Sequence, residues 1–314
     1  MAMCQCGIFS NCNGSCDFCL IENAKIASME TIYQQIETVS KNIDFINEQK
    51  DSWKTKFSDG ISLLGGELYY ITDEKYKTLF LKLIDKIIDV VLKPSTNPLV
   101  KFSTVTNGFY DPENLLFPTI DKIRDAVGLQ HVDVNFSYDL KYRFKTREQE
   151  ERVRKTINAF HDRYSYSLGI QMILTQNVID KVLYEGWRPS RWIAENLPGN
   201  QVAFLYPHPI RRGNNFTGDK NLEGFNFTRS SFFQFLSIMR DEEPKIYEAF
   251  VSSCRNSAVY KYTMLYDKEL DEHQVPLLTN GKEILNEKCG HSILYQCYSD
   301  TDSCMMCDLE AMEL

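Results

Sequence analysis

The sequence predicts an α/β fold, namely a partial (βα)6 TIM barrel followed by a small, cysteine-rich C-terminal α+β appendage. Short apolar runs of β type alternate with longer runs whose apolar residues recur at helical spacing. Several of the short runs end in turn residues, such as Gly65-Gly66 and Asn107-Gly108. Alternating strands and helices form a parallel sheet with helical crossovers, and about six units are too few to close an eight-stranded barrel. An open barrel is therefore expected.

The apolar pattern places the strands and helices of these units. The first strand is expected in the N-terminal cysteine-rich stretch, and the first helical run covers Ala24 to Lys56. Further strands are predicted at residues 60–70, 100–106, 131–138, 167–174 and 201–206. Further helices are predicted at residues 73–93, 113–127, 148–164, 178–185 and 230–240, with Thr72 as the N-cap of the first of them. Ligands of such folds bind where the strands end, so the loops after the strands are the candidate site.

The pattern changes after about residue 250. A strand is predicted at residues 258–266, Thr279-Asn280-Gly281-Lys282 predicts a hairpin turn, and a short strand follows at residues 292–297. We therefore expect two domains, the partial barrel at residues 1–250 and a cysteine-rich region at residues 251–314.

The composition excludes several classes of protein. The 314 residues include 35 Lys+Arg and 43 Asp+Glu, which gives a net charge of −8, and 43% are hydrophobic. The hydrophobic share is typical of a globular chain, and an acidic chain is not expected to bind nucleic acid nonspecifically. No apolar run approaches the ~20 residues of a membrane span, and the N-terminus lacks the pattern of a secretory signal. A cytoplasmic protein without a membrane partner is expected.

The ten cysteines fall into two tight groups. Five lie within residues 4–19, four lie within residues 289–307, and Cys254 stands alone. Two such groups at opposite ends of the chain favour metal or iron–sulfur sites in a reducing compartment over a disulfide framework.

Cys12, Cys16 and Cys19 form a CX3CX2C loop. Three thiolates can hold three irons of a [4Fe–4S] cube, and the fourth iron then stays available to a small molecule. A zinc knot is the alternative for the same loop. Cys4 and Cys6 share one face of the first strand and are interpreted as buried thiols.

With Phe18 before its third cysteine, this loop resembles the cluster motif of the radical S-adenosylmethionine (radical SAM) superfamily. Gly65-Gly66-Glu67 resembles the GGE motif of that family, which contacts the methionyl amino group of SAM. Leu68 stands where proline is usual in the family. The resemblance covers roughly residues 4–215.

The resemblance implies that a [4Fe–4S] cluster and SAM are the cofactors. It assigns cofactor contacts to the GGE motif, Phe18, Asn107, Ser137 and Asp139. It also implies that an external electron donor of the flavodoxin or ferredoxin type reduces the cluster. The cluster then cleaves SAM to a 5′-deoxyadenosyl radical, which abstracts hydrogen from a substrate C–H bond. Arg211, after the sixth strand, suits the SAM carboxylate or an anionic substrate group, with a solvated loop as the alternative.

The second cysteine group has the spacing CX7CX6CX2C and consists of Cys289, Cys297, Cys304 and Cys307. Four thiolates can complete a structural zinc site or a second [4Fe–4S] cluster. The position of this group resembles that of the twitch and SPASM extensions of radical SAM enzymes, whereas its spacing differs from both.

Two charged or polar series lie at the fourth strand. One is a row of polar residues on a single strand face, and this row is expected to line the barrel. It consists of Asp133, Asn135, Ser137 and Asp139. The other is a basic stretch that consists of Lys141, Arg143, Lys145 and Arg147. It is interpreted as a solvated face, and a phosphate site is the alternative.

Three functions remain open from the residues. The first is oxidation or another modification of a peptide or protein side chain, which the C-terminal cysteines favour. The second is modification of a nucleotide or another small molecule, which the basic loop at Arg211-Arg212 favours. The third, outside enzymes, is a zinc-binding interaction protein.

Overall fold

A computed structural model describes residues 4–9, 11–14, 16, 27–48, 60–95, 97–140, 143–205 and 229–250. The appendage predicted at residues 251–314 lies outside the described residues, and so does the division into two domains.

Six parallel strands form one sheet in the order in which they occur in the sequence. They are β1 (Cys4–Gly7), β2 (Gly60–Leu64), β3 (Lys101–Thr106), β4 (Val132–Ser137), β5 (Gly169–Ile173) and β6 (Gln201–Leu205). Within the described ranges, each strand pairs with its neighbours in sequence and no other strand, for example Ile61 with Phe102 and Phe136 with Ile170. Among the described residues, β1 and β6 are not paired with each other, so the sheet is open. The predicted partial α/β barrel is confirmed.

The described part contains the α-helices α1 (Met29–Glu48), α2 (Glu74–Ile87), α3 (Leu116–Val127), α4 (Arg147–Tyr164), α5 (Gln176–Tyr184), α6 (Pro189–Asn196) and α7 (Arg229–Glu242). A π-helical turn at Ile88–Leu92 continues α2, a 3-10 turn covers Leu129–His131, and residues 244–250 are also helical. Right-handed crossovers between strands in sequential order place the helices on one face of the sheet. No described helix is long and apolar enough to cross a membrane.

The hydrophobic core lies between this face of the sheet and the helices. In α1, the buried residues recur at helical spacing and are Ile32, Ile36, Val39 and Ile43. In β4, Val132, Val134 and Phe136 are buried on the helix side and alternate with more accessible polar residues. The opposite face of β4 therefore carries its polar residues.

Two helix starts were predicted wrongly, and one helix was not predicted. The N-cap of α2 is Asp73 and not Thr72, because the Asp73 carboxylate accepts the Tyr76 N–H at 2.7 Å and the Tyr33 hydroxyl at 2.7 Å. Helix α3 begins three residues later than predicted, after a turn in which Asp111 accepts the Glu113 N–H. Helix α6, which begins at Pro189, was not predicted.

Candidate functional site

The loops after β1 and β2 are hydrogen-bonded to each other at the carboxyl ends of the strands. The Gly66 N–H donates to the Phe9 carbonyl at 2.8 Å, and the Glu67 N–H donates to the Asn11 carbonyl at 2.9 Å. The cysteine loop therefore starts from a backbone that the GGE segment holds in place.

Gly65 is required by close packing. A Cβ at this position would lie 2.7 Å from Leu68 Cδ2 and 2.9 Å from the Phe9 carbonyl oxygen. A contact of this kind with backbone cannot be relieved by a rotamer change. Leu68, which stands where the resembled motif usually has proline, is buried in the core.

The Glu67 carboxylate joins the end of β2 to the end of β3. It is 1% exposed and accepts the Asn107 N–H at 2.6 Å, the Thr106 hydroxyl at 2.9 and 3.0 Å, and the Tyr69 N–H at 3.2 Å. Burial raises the pKa of Glu67 to about 7, and the hydrogen bonds from Asn107, Thr106 and Tyr69 act against that increase. All of these hydrogen bonds are made within the protein. A contact of the Glu67 carboxylate with SAM therefore stays a prediction.

Asn107 connects this carboxylate to the first motif cysteine. Its backbone is held by Glu67, and its side-chain Nδ2 donates to Cys12 Sγ at 3.4 Å and to Asn13 Oδ1 at 3.1 Å. The Gly14 N–H also donates to Cys12 Sγ, at 3.2 Å. The structure thus brings the predicted site residue Asn107 to the sulfur of Cys12.

The second motif cysteine lies beside a buried ion pair. Cys16 is 6% exposed, and its Sγ is 3.5 Å from a guanidinium nitrogen of Arg143. Arg143 Nε donates to Asp139 Oδ2 at 2.8 Å, and Asp139 Oδ1 accepts the Ile173 N–H of β5 at 2.8 Å. Burial raises the pKa of Asp139 against the opposing effect of the Arg143 charge.

The interpretation of residues 141–147 as a solvated face is wrong for Arg143, which is 8% exposed. Its charge is turned inward because the buried Asp139 carboxylate, four residues earlier, needs a partner. Arg147, by contrast, is exposed and pairs with Glu151 on the surface of α4. Lys145 is also exposed, and Lys141 lies outside the described residues.

The polar row of β4 is confirmed for three of its four members. Asp133, Asn135 and Ser137 occupy the accessible positions of the strand. Asp133 accepts hydrogen bonds from Ser103 at 3.1 Å and from Asn135 at 3.2 Å. Asp139 lies beyond the end of the strand and faces Arg143 instead. Ser137 is the last residue of β4, and its contact with a cofactor stays a prediction.

Asn11 closes the cysteine loop and was not predicted as a site residue. Its Nδ2 donates to the Ala27 carbonyl at 2.9 Å, and its Oδ1 accepts the Ala27 N–H at 2.8 Å. An asparagine amide satisfies both backbone groups of another residue in this way. The only sequence signal is an amide residue directly before the first motif cysteine.

The donors around Cys12 and Cys16 fit metal-ligating thiolates. Three N–H groups point at the two sulfurs, and one of them carries a full positive charge. Such surroundings favour the thiolate, which is the form that ligates iron. Within the described ranges, no three Cys, His, Asp or Glu side chains are grouped to hold a metal ion. The third motif cysteine, Cys19, falls outside those ranges.

The other predicted site residues also lie outside the described residues. They are Phe18, Arg211, Cys289, Cys297, Cys304 and Cys307, together with the unassigned Cys254. Their roles stay predictions.

One of the comparisons with known proteins, that with anSMEcpe, supports the fold. Neither a protein-family model nor a curated protein matches the sequence. The solved structure of hexahistidine-tagged anSMEcpe with bound AdoMet is similar to this chain with a TM-score of 0.51 and 15% identity, over 83% of this chain and 65% of that one. The crystal structure of Streptococcus suis SuiB gives a TM-score of 0.48 and 10% identity, over 78% and 47%. The chain thus spans less than two thirds of either protein.

Proposed function

We propose that this chain is a radical SAM enzyme in which Cys12, Cys16 and Cys19 hold a [4Fe–4S] cluster. When bound, the cluster and SAM supply reductive cleavage to a 5′-deoxyadenosyl radical and removal of hydrogen from a substrate C–H bond. The observation that carries the proposal is the joining of the cysteine loop, the GGE segment and Asn107 at the carboxyl ends of parallel strands. The fold likeness to anSMEcpe, which was solved with bound AdoMet, supports it.

The chain's own contribution is to position the loop and to exclude water. Phe109 is 6% exposed and packs edge-on against Phe144 with a centroid separation of 5.9 Å. A Cβ placed at Gly14 would lie 3.4 Å from the Phe109 ring, so this aromatic pair borders the cysteine loop. Apolar cover of this kind limits the access of water to a reactive site.

We further propose that the substrate is a peptide or protein side chain. The four C-terminal cysteines support this, because a second cluster could take up the electron that substrate oxidation releases. The polar row of β4 offers hydroxyl, amide and carboxylate groups inside the barrel. An external flavodoxin- or ferredoxin-type protein completes the proposal as the electron donor.

Anaerobic reconstitution tests the cluster assignment. About four irons per chain are expected from the first site alone and about eight if the C-terminal cysteines hold a second cube. With dithionite and SAM, the chain should release 5′-deoxyadenosine. Cys16→Ala should abolish this release, whereas Cys254→Ala, which also removes one cysteine, should retain it. Zinc in place of iron, without SAM cleavage, would favour the zinc-binding alternative.

Deuterium transfer tests the substrate class. Extract from cells grown in deuterated medium is incubated with the reconstituted enzyme, and 5′-deoxyadenosine is analysed by mass spectrometry. A peptide substrate predicts deuterium in the product that disappears when the extract is first digested with protease. Loss after nuclease and phosphatase treatment, with no effect of protease, would instead support the nucleotide alternative.

A further inference from the structure

The Asp139–Arg143 ion pair is buried directly against Cys16. Asp139 is 3% exposed and Arg143 is 8% exposed, and the guanidinium nitrogen nearest the sulfur lies 3.5 Å from it. We propose that Arg143 is a positioning residue that acts through Cys16 and raises the reduction potential of the proposed cluster. The inference rests on the proposed function, because it concerns the cluster that Cys12, Cys16 and Cys19 would hold.

The pair is oriented with its positive end toward the sulfur. Arg143 Nε faces Asp139 at 2.8 Å, whereas a terminal nitrogen of the same guanidinium faces Cys16. Asp139 is itself fixed by the Ile173 N–H of the neighbouring strand β5. The guanidinium therefore cannot turn away from Cys16 without leaving a buried carboxylate without its cation, which is costly.

Two physical effects act in the same direction. Reduction adds one negative charge to the cluster, and a nearby cation stabilises that added charge. A hydrogen bond to a ligating sulfur withdraws electron density from it, and such bonds are among the factors that set cluster potentials. Both effects favour the reduced form. Because the carboxylate binds Nε and a terminal nitrogen binds the sulfur, we expect the carboxylate to offset only part of the cation's effect.

Burial distinguishes this pair from the other arginine of the same stretch. The Arg147 side chain is 87% exposed and pairs with Glu151 on the surface, where water and salt screen its charge. Removing Arg147 changes the net charge of the chain by the same amount as removing Arg143. The exposed residue therefore provides a matched control.

The test is an EPR-monitored redox titration of the reconstituted chain without SAM, so that contacts to a bound ligand do not enter. R143Q should lower the reduction potential of the cluster by at least about 59 mV, which is a tenfold shift of the one-electron equilibrium toward the oxidised form. D139N keeps the cation, removes the opposing charge, and should shift the potential in the positive direction. R147Q should leave the potential unchanged.

A second variant covers the case in which R143Q fails to take up iron because Asp139 is left unpaired. D139N/R143Q removes both charges together, and its potential should lie below that of the wild type but by less than the R143Q shift. A double variant at the wild-type potential would overturn the proposal. So would shifts of R143Q and D139N in the same direction, as loosened packing would produce. A wild-type chain that binds no iron would refute the proposed function instead.

Discussion

Glu67→Gln should change the pH dependence of folding in a defined direction. Burial raises the pKa of Glu67 from its ordinary value of 4.5 to about 7 in the folded chain. The folded state therefore holds a proton that the unfolded state releases at lower pH. The stability associated with this proton is complete below the unfolded pKa and is lost as the pH rises through the folded pKa.

The size of the effect follows from the two pKa values. A difference of about 2.5 corresponds to about 3 kcal/mol over the full range, of which about 2 kcal/mol falls between about pH 5.5 and about pH 8. Glutamine removes the titration, so the free energy of unfolding of the wild type minus that of Glu67→Gln should decrease by about 2 kcal/mol over this interval. The variant is expected to be less stable throughout, because its amide NH2 faces backbone donors.

The assay is guanidinium unfolding at a series of pH values, followed by circular dichroism. Glu148→Gln is the control, because Glu148 is exposed and a hydrogen bond from its own backbone N–H lowers its pKa. The ionised Glu148 carboxylate adds to the free energy of unfolding as the pH rises above its lowered pKa. This gain is complete before about pH 5.5, so it does not change over the interval in which Glu67 titrates. A wild-type minus Glu67→Gln difference that is flat or rises with pH would show that the hydrogen bonds from Asn107, Thr106 and Tyr69 outweigh burial.

Three further outcomes are expected. Asn107→Ala removes an N–H donor from the sulfur of the first motif cysteine, and the reconstituted chain should lose iron to a chelator about tenfold faster. Gly169→Ala places a Cβ 2.1 Å from Asn135 Oδ1 and should lower the free energy of unfolding by about 1–3 kcal/mol. Combining it with Asn135→Ala should restore part of that stability, because the clashing side chain is removed. Asn11→Ala breaks the paired bonds to Ala27, should cost about 1–2 kcal/mol, and should speed amide exchange at Ala27.

The first two of these changes have a control in the same fold. Asn114→Ala removes an amide that donates to the Tyr69 and Ile71 carbonyls, and iron loss as fast as in Asn107→Ala would contradict a specific contact to the sulfur. Gly186→Ala introduces a Cβ with nothing within 4 Å at a φ of +65°, so it reports backbone strain alone. Absence of any rescue by Asn135→Ala would refute the proposed clash. Unchanged exchange at Ala27 would refute the role of Asn11.

The succession of strands and helices could be predicted because apolar periodicity is a local property. The strand predicted at residues 100–106 begins one residue before β3 and ends with it. The strand predicted at residues 131–138 extends one residue beyond β4 at both ends. Helix α6 was missed because its eight residues carry a short pattern, although Pro189 marks its start.

The surroundings of the cysteines were less predictable because they depend on contacts between distant residues. Asn107 was selected from the motif, but its position against Cys12 depends on a carboxylate from another strand. Arg143 was assigned to solvent because its neighbours in sequence are basic. Only the folded chain shows that Asp139 turns it toward Cys16, which is 127 residues away in the sequence.

The sequential order of the sheet also has a consequence for how the chain assembles. Every strand finds its partner in the unit made just before or just after it, so the sheet can grow one crossover at a time without threading. Strand β1 spans Cys4–Gly7, and within the described part of the chain it pairs with β2 alone. The segment that leads into the cysteine loop is thus synthesised before β2 and must wait for β2 before it can pair with the sheet. We therefore expect the proposed cluster to be inserted only after Gly60–Leu64 has left the ribosome.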